Sequence, residues 1–172
     1  MMRVRVAAIV AIAVAGMMLA GCGYRFTGGG KLPANISSIA VEIMENRSGE
    51  TGVENTFTND LIFELQTNSD AAIRGPAEAD AVLTGVIDAI QVTTIARIDV
   101  STSQERRVKA FATYQLVGAD KTVLWKRSGL TANEAYEVTD DKLETERNKR
   151  EAIEALSKRM AELVYNSMTS DF

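Results

Sequence analysis

The chain contains one cysteine, Cys22, and no histidine in its 172 residues. A disulfide needs two cysteines and the usual protein zinc sites are built from Cys and His, so neither can brace the fold. The same composition removes the Ser/His/Asp and Cys/His pairs on which nucleophilic hydrolases depend. The folded state therefore has to be held by an apolar core and by secondary structure.

The residues before Cys22 have the pattern of a secretory signal. Arg3 and Arg5 precede a charge-free apolar run from Val6 to Gly21 that ends in small residues. A basic start, an apolar centre and a small-residue cleavage site are typical of such a signal, so residues 1–21 are predicted to be removed. The alternative is an uncleaved membrane anchor, because the charge-free stretch approaches the ~18 residues that span a bilayer.

The order Leu-Ala-Gly-Cys at residues 19–22 resembles the bacterial lipobox. The resemblance implies that the Cys22 thiol is joined to diacylglycerol, that the chain is cut just before it, and that the new amine is acylated. Several acyl chains, at about 0.8 kcal/mol per buried CH₂, hold a protein on a membrane far more firmly than one. Cys22 is the predicted lipid attachment site, and no other cofactor is predicted. Gly23, in place of Asp, favours the outer membrane in the sorting rule of some bacteria.

The mature chain divides into a tether and one domain. Residues 22–35 are Gly-rich, contain Pro33, and are predicted to be an extended tether of at most about 50 Å. Residues 36–172 are predicted to form a single domain, long enough to bury a proper core. Loss of Arg3 and Arg5 leaves 17 of the 19 basic residues against 23 acidic ones, a net charge of −6. This net charge disfavours nucleic acid, and no nucleic-acid partner is predicted, because affinity for nucleic acid depends on Lys and Arg that neutralise its phosphates.

A strand, a turn and a helix are predicted to open the domain. The residues from Ile36 to Met44 have strand composition, and the turn ENRSGE follows them. Thr51 and Glu54 fit a capping box, in which the Thr51 side chain accepts a hydrogen bond from the Glu54 amide and Glu54 reaches back. Apolar residues then recur every four positions along one helical stripe, namely Val53, Phe57, Leu61 and Leu65.

Three further strands are predicted, from Ala81 to Ile95, from Arg107 to Val117 and from Thr122 to Thr131, paired antiparallel. The middle strand alternates, with one side made of Val108, Ala110, Ala112, Tyr114 and Leu116. Phe111 and Val117 lie on the side opposite Tyr114, so the second face of the sheet is predicted to be partly apolar. Such a patch is either ordinary surface packing or a partner surface.

A long helix from about Asp141 to Met168 is predicted to close the domain. Its apolar stripe is spaced to face a sheet and consists of Ile153, Leu156, Met160, Leu163 and Val164. The element order is then βαβββα. The predicted fold class is α/β, in the form of an α+β sandwich with two helices packed on one face of a four-stranded sheet.

Arg97, Arg106 and Arg107 bracket the connection between the first two strands of the antiparallel set. We expect them to gather at one end of the sheet. Guanidinium groups bind phosphate bidentately, so this cluster is a candidate site for an anionic lipid such as lipopolysaccharide. The alternative is a solvated hairpin end without a ligand.

Other motifs that carry chemistry are not predicted. The run Gly28 to Lys31 departs from a phosphate loop, because Arg25 stands where the first Gly belongs and Leu32 replaces Ser or Thr. The pair Asp140-Asp141 is typical of a solvated helix start. No catalytic residue and no metal site is predicted, and the chain is not expected to be an enzyme.

The order of several short motifs resembles the lipopolysaccharide-assembly lipoprotein family, LptE-like, over nearly the full mature length. The motifs are Cys-Gly-Tyr-Arg-Phe at residues 22–26, Leu32-Pro33 before the first strand, Glu45-Asn46-Arg47 in the turn, and Gly52-Val53-Glu54 at the helix start. The resemblance implies a lipid-anchored domain on the outer membrane that faces the periplasm. It also implies that the domain binds inside a large β-barrel, the LptD protein, as plug and assembly chaperone while lipopolysaccharide enters the outer leaflet. The family is not enzymatic and binds lipopolysaccharide through basic residues, but only Cys22 is assigned by position.

Two other classes remain open. The start ISSIAVEIMENRSGE, with the helix after it, also resembles lipoproteins that activate periplasmic peptidoglycan synthases or form secretion pores. Those activators need a long disordered segment to reach the cell wall, whereas the predicted tether is short. A periplasmic lipid carrier without a barrel partner is the weaker alternative, because no long apolar cavity-lining pattern is present.

Overall fold

Eight helices and strands follow a 3-10 turn at Pro33–Asn35 in the part of the chain that the computed structural model describes, residues 32–97 and 104–170. Cys22, the predicted signal peptide and most of the predicted tether lie outside those residues. The elements are β1 (Ser38–Val41), β2 (Glu45–Asn46), α1 (Val53–Asn68), β3 (Ala72–Ile73), β4 (Ala81–Arg97), β5 (Gln104–Gly118), β6 (Val123–Val138) and α2 (Lys142–Ser170).

The strands form one sheet in the order β3-β1-β4-β5-β6, and β2 pairs with β4 further along. β1 and β2 run parallel to β4, whereas β4, β5 and β6 pair antiparallel as predicted. Two helices pack against this open sheet, so the predicted fold class is confirmed. The sheet has two more strands than the four predicted, because β2 and β3, each of two residues, also join it.

The predicted first strand is divided into β1 and β2 by Met44. The Met44 amide leaves the sheet and donates to the hydroxyl of Thr58 on α1 at 3.0 Å, while Thr58 donates to the Glu54 carbonyl at 2.6 Å. Both Met44 and Thr58 are buried. A buried amide needs a partner, so this link fixes α1 on the sheet while it interrupts the strand.

The apolar stripes predicted from the sequence form the core. All four stripe residues of α1 are buried, and so is the alternating set of β5, from Val108 to Leu116. In α2 the predicted stripe is buried except for Leu163, which is 37% exposed. Leu163 lies at the margin of the stripe, and its neighbours on the sheet side, Arg127 and Leu130, belong to the edge strand β6. No further strand lies there among the described residues to cover it.

The predicted capping box is wrong. The residue that precedes α1 is Gly52, with a left-handed φ of 85°, and no side chain caps the helix. Because the chain enters the helix through this glycine, the Thr51 side chain does not cap the first turn. Glu54 is held instead by the side-chain amide of Asn46 at 2.9 Å.

The two helices run side by side in the same direction. Lys149 forms an ion pair with Glu50 at 2.5 Å just before α1 begins, and the Tyr165 hydroxyl donates to the carbonyl of Asn68 where α1 ends. Asn148 of α2 donates to the Glu137 carbonyl of β6 at 3.0 Å. α2 therefore begins at the end of the sheet where β6 ends, and it runs back along that strand.

Candidate functional site

The three predicted arginines lie at the hairpin end of the sheet, where β4 leads into β5. Arg97 pairs with Gln104, Arg106 with Thr94, and Arg107 with Thr93. The expectation that these positions gather at one end of the sheet is confirmed. Adjacent residues of a strand point to opposite faces, however, so Arg106 and Arg107 do not share a face.

The two faces give these arginines different surroundings. Arg106 is half-buried and lies on the helix side, opposite the buried Tyr136 of β6. Arg107 is exposed on the other side, where it forms no ion pair with a described residue. Sequence reasoning missed Lys109, which lies two residues further along the same side and whose ammonium is 4.8 Å from the ring centre of Phe111. The two-residue spacing from Arg107 was the signal that could have found it.

The face of the sheet away from the helices, here called the outer face, is partly apolar, as predicted. Val82, Val117 and Val123 form a row across β4, β5 and β6, and Val123 is 55% exposed. Phe111 and Val86 lie further toward the hairpin end and are half-buried. Buried residues on the sheet alternate with these positions and pack toward the helices. On the outer face these apolar groups alternate with polar ones, among them Thr113, whose hydroxyl donates to the Asp88 carboxylate at 2.9 Å, and the face leads up to Arg107 and Lys109.

The turn Glu45-Asn46-Arg47 holds the sheet and both helices together. The Asn46 side-chain amide donates to the Glu50 carbonyl at 2.7 Å and to the Glu54 carboxylate at 2.9 Å. Its side-chain oxygen accepts hydrogen bonds from the backbone and hydroxyl groups of Ser48 at 2.9 and 2.7 Å. Because Glu50 also pairs with Lys149 of α2, this turn connects β2 with the start of α1 and with α2.

Arg47, the last residue of the same turn, contacts Glu45 and β4. Its guanidinium binds the Glu45 carboxylate at 2.8 Å, a hydrogen bond that holds the pKa of Glu45 below its ordinary value. The Arg47 amide donates to the carbonyl of Ile87 on β4 at 3.0 Å. The Arg47 side chain is thus paired within the turn, and its amide makes the backbone bond that ends β2.

Asp80 fastens the other end of the sheet, where the tether enters the domain. Its carboxylate accepts hydrogen bonds from the Ser37 amide at 2.9 Å, the Ser37 hydroxyl at 2.8 Å and the Ser38 amide at 2.8 Å. These bonds lower the pKa of Asp80 from 3.8 to about 2. The Asp80 carbonyl accepts from the Ala119 amide at 2.9 Å, so one residue ties β1, β4 and the β5–β6 turn together.

We expect Asp80→Asn to destabilise the protein at neutral pH and to have little effect in strong acid. The folded state depresses the pKa of this carboxyl, so its stabilising contribution is complete above pH 3.8 and is lost as the pH falls toward 2. Urea midpoints measured between pH 7 and pH 2 test this, with the difference from the unchanged protein shrinking across that window. Asp70→Asn is the control, since Asp70 is exposed and accepts no hydrogen bond from a described residue. A difference that persists unchanged at pH 2 would contradict the assignment.

The tether and the hairpin lie at opposite ends of the domain. β4 starts beside Asp80 and runs through 17 residues to Arg97. At ~3.3 Å per residue this separates the two ends by about 50 Å. The basic hairpin end therefore lies about 50 Å from the end of β4 that is beside Asp80.

Within residues 32–97 and 104–170 no helix is long and apolar enough to cross a membrane. Within the same ranges no group of three or more His, Cys, Asp or Glu side chains is arranged to hold a metal ion.

A similar fold is found in solved lipoproteins. Lipoprotein B from Nitrosomonas europaea aligns with a TM-score of 0.54 at 15% identity, covering 87% of this chain and 92% of that one. The minor lipoprotein from Acinetobacter baumannii gives 0.51 at 14% identity, with 78% and 92% covered. The rare lipoprotein B from Shewanella oneidensis gives 0.50 at 16% identity, with 74% and 94% covered. At these identities the likeness establishes the fold alone.

The family follows from the sequence match. The lipopolysaccharide-assembly family model, LptE, matches residues 36–168, and the chain belongs to this family. The resemblance drawn from the short motifs is confirmed. Among curated proteins none matches the chain at a significant level. The protein is thus an envelope lipoprotein of the lipopolysaccharide-assembly type.

Proposed function

We propose that this protein is an outer-membrane lipoprotein, anchored by diacylglycerol and an N-acyl chain on Cys22, that plugs and helps to assemble an LptD-like β-barrel. The barrel inserts lipopolysaccharide into the outer leaflet, and the lipoprotein contributes binding and folding without catalysis. The observation that carries the proposal is the family match over residues 36–168. Lipopolysaccharide and the barrel are the proposed partners, with the domain facing the periplasm.

The shape of the domain supports a plug. A wide barrel encloses a lumen that a folded body can fill, and a lipid anchor beside the barrel keeps the two at high effective concentration. The outer face offers this body an apolar contact surface, with Val82, Val117 and Val123 in one row. Arg107 and Lys109, on the same face and about 50 Å from the start of β4, are the groups proposed to bind phosphate.

The test is to purify the natively expressed lipidated protein from detergent-solubilised envelopes and to identify what accompanies it in stoichiometric amount. A single large outer-membrane barrel is the expected partner. Depletion of the protein should also lower the amount of folded barrel. A peptidoglycan synthase or a secretion complex in its place, with unchanged barrel levels, would overturn the proposal.

Reversal of charge at Arg97, Arg106 and Arg107 together should weaken binding to lipopolysaccharide by about tenfold, since each guanidinium–phosphate contact is charge-assisted. Binding to a neutral detergent should change little. The measurement is titration of the purified protein with fluorescent lipopolysaccharide and, separately, with detergent.

A matched control carries three charge reversals toward the tether end of the sheet, at Arg74, Lys121 and Lys126, which are exposed. Equal losses in the two triple variants would contradict a local site and indicate a general effect of net charge. Single reversals at Arg106 and Arg107 then separate the helix side from the outer face.

A further inference from the structure

An open groove lies between the first part of β6 and the last two turns of α2. Its volume is about 760 Å³, and its lining includes Arg127 and Leu130 of β6 with Leu163, Ser167 and Ser170 of α2. Leu163 is 37% exposed and Leu130 is half-buried, so apolar surface faces solvent here. This feature is named the α2–β6 groove.

The cation of the α2–β6 groove, Arg127, is held in place by α2. Its Nε donates to the Ser167 hydroxyl at 3.0 Å. Arg127 pairs with the buried Tyr114 of β5, so its side chain projects on the helix side of the sheet. A guanidinium group binds the flat face of an aromatic ring. The groove therefore combines two leucines with a cation, and this lining is suited to aromatic side chains.

The chain enters the domain beside this groove. Ile39 at the start of β1 pairs with Ala81 of β4, and Ala81 pairs with Gly118 of β5. Val117, next to Gly118, pairs with Val123 at the start of β6, so β1, β4 and β6 all start at one end of the sheet. β1 and β6 lie on opposite sides of β4 and β5, yet the 3-10 turn just before β1 contacts β6. Traced back from β1, the chain therefore crosses this end of the sheet and reaches β6 near the groove.

Leu32, the first described residue, fixes the point from which the predicted tether departs. It is 5% exposed and is part of the apolar core. Phe26 is six residues before Leu32, a reach of up to about 20 Å. The groove follows α2 from Leu163 to Ser170, a length of about 10 Å. Residues 22–31 are therefore long enough to lie along the groove.

We propose that the α2–β6 groove binds the segment Tyr24-Arg25-Phe26 of the same chain. In an extended segment the two aromatic rings project on one side, where they contact the two leucines and the Arg127 guanidinium. Arg25 projects on the other side, away from the cation of the groove. The segment is joined to the domain a few residues away, so its effective concentration is of the order of mM and modest contacts hold it.

The docked segment determines where the proposed lipid anchor lies. Cys22 is two residues before Tyr24, so the anchor is held next to the α2–β6 groove instead of at the end of a free tether. The end of the domain that contains the groove then faces the membrane. This docking within one chain is independent of the proposed barrel partner.

The rate of trypsin cleavage after Arg25, measured on the full-length chain in detergent, tests the docking. Cleavage requires the segment to leave the groove, so Leu163→Gln should accelerate it about fivefold. Phe63→Gln is the matched control, because Phe63 is an exposed apolar residue of the other helix, and it should leave the rate unchanged. The urea midpoint checks that both variants keep their fold. A rate that Leu163→Gln leaves unchanged would overturn the proposal, as would equal acceleration by the control.

Disulfide trapping locates the segment independently of cleavage. A disulfide needs Cα atoms ~4.4–6.8 Å apart, so Phe26→Cys with Leu163→Cys should crosslink within one chain in high yield. Phe26→Cys with Phe63→Cys is the control pair and should give at least fivefold less. Leu163→Cys alone gives the background from Cys22, the only cysteine of the parent chain. Equal yields in the two pairs, or disulfides that form only between two chains, would overturn the proposal.

Discussion

Replacement of Cys22 by alanine should leave the chain as an uncut precursor and prevent the proposed attachment to the outer membrane. The lipobox peptidase acts on a cysteine that already carries diacylglycerol, and alanine has no thiol to modify. Each lost CH₂ removes about 0.8 kcal/mol of membrane affinity, so loss of whole acyl chains removes stable anchoring. The measurement is the mobility of the chain on gels, with metabolic labelling by a palmitate analogue and separation of inner and outer membranes.

Gly21→Ala is the matched control, because it keeps a small residue before the cut and leaves Cys22 in place. Its maturation should be normal. Normal maturation and labelling of Cys22→Ala would instead refute the lipid attachment site. Processing of the variant without labelling would indicate an ordinary secretory signal. A parent chain that keeps residues 1–21 and carries no label would indicate the alternative for the apolar run from Val6 to Gly21, an uncleaved membrane anchor.

The parts of the fold that the sequence predicted are those in which one local pattern decides the structure. The two-residue alternation of β5 predicts which of its side chains face the core, and the four-residue spacing does the same for α1. Both sets of side chains are buried as predicted. Antiparallel pairing of β4, β5 and β6 could be predicted because few residues separate successive strands. β6 was predicted to end at Thr131 but continues to Val138, since Ala132 and Tyr136 extend its buried face.

The parts that were missed depend on contacts between residues distant in the sequence. The Met44 amide donates to a hydroxyl on α1 instead of pairing in the sheet, and no local pattern predicts a partner 14 positions away. Asp80 binds Ser37 and Ser38 across more than 40 positions, and its sequence neighbours give no sign of it. A capping box is a local pattern, yet the left-handed Gly52 overrode it.

The candidate site was predicted in position but not in orientation. Hairpin geometry places Arg97, Arg106 and Arg107 at one end of the sheet, and this follows from the strand assignments. Adjacent positions on a strand face opposite ways, which already separates Arg106 from Arg107. Once the buried face is known from Val108, Arg107 and Lys109 belong to the outer face together.

Charged substitutions on the outer face should have the second large effect, a loss of binding to the proposed barrel. Val86→Asp with Phe111→Asp should reduce co-purification of the LptD-like barrel more than tenfold, since two charges would replace apolar groups at the centre of the proposed contact. Both side chains are half-buried on the face away from the core, so the fold should persist, and circular dichroism and the urea midpoint check this. These two measurements distinguish a variant that has lost binding from one that has lost its fold.

Phe63→Asp is the matched control for this surface. Phe63 is an aromatic residue on α1 that is 67% exposed, on the helix layer of the domain. If the domain docks through its sheet, Phe63→Asp should retain the barrel while the outer-face variant loses it. The reverse result would mean that the helices meet the barrel wall and that the outer face points into the lumen. Because the helices and the outer face lie on opposite sides of one sheet, the pair of variants fixes which way the domain sits in its partner.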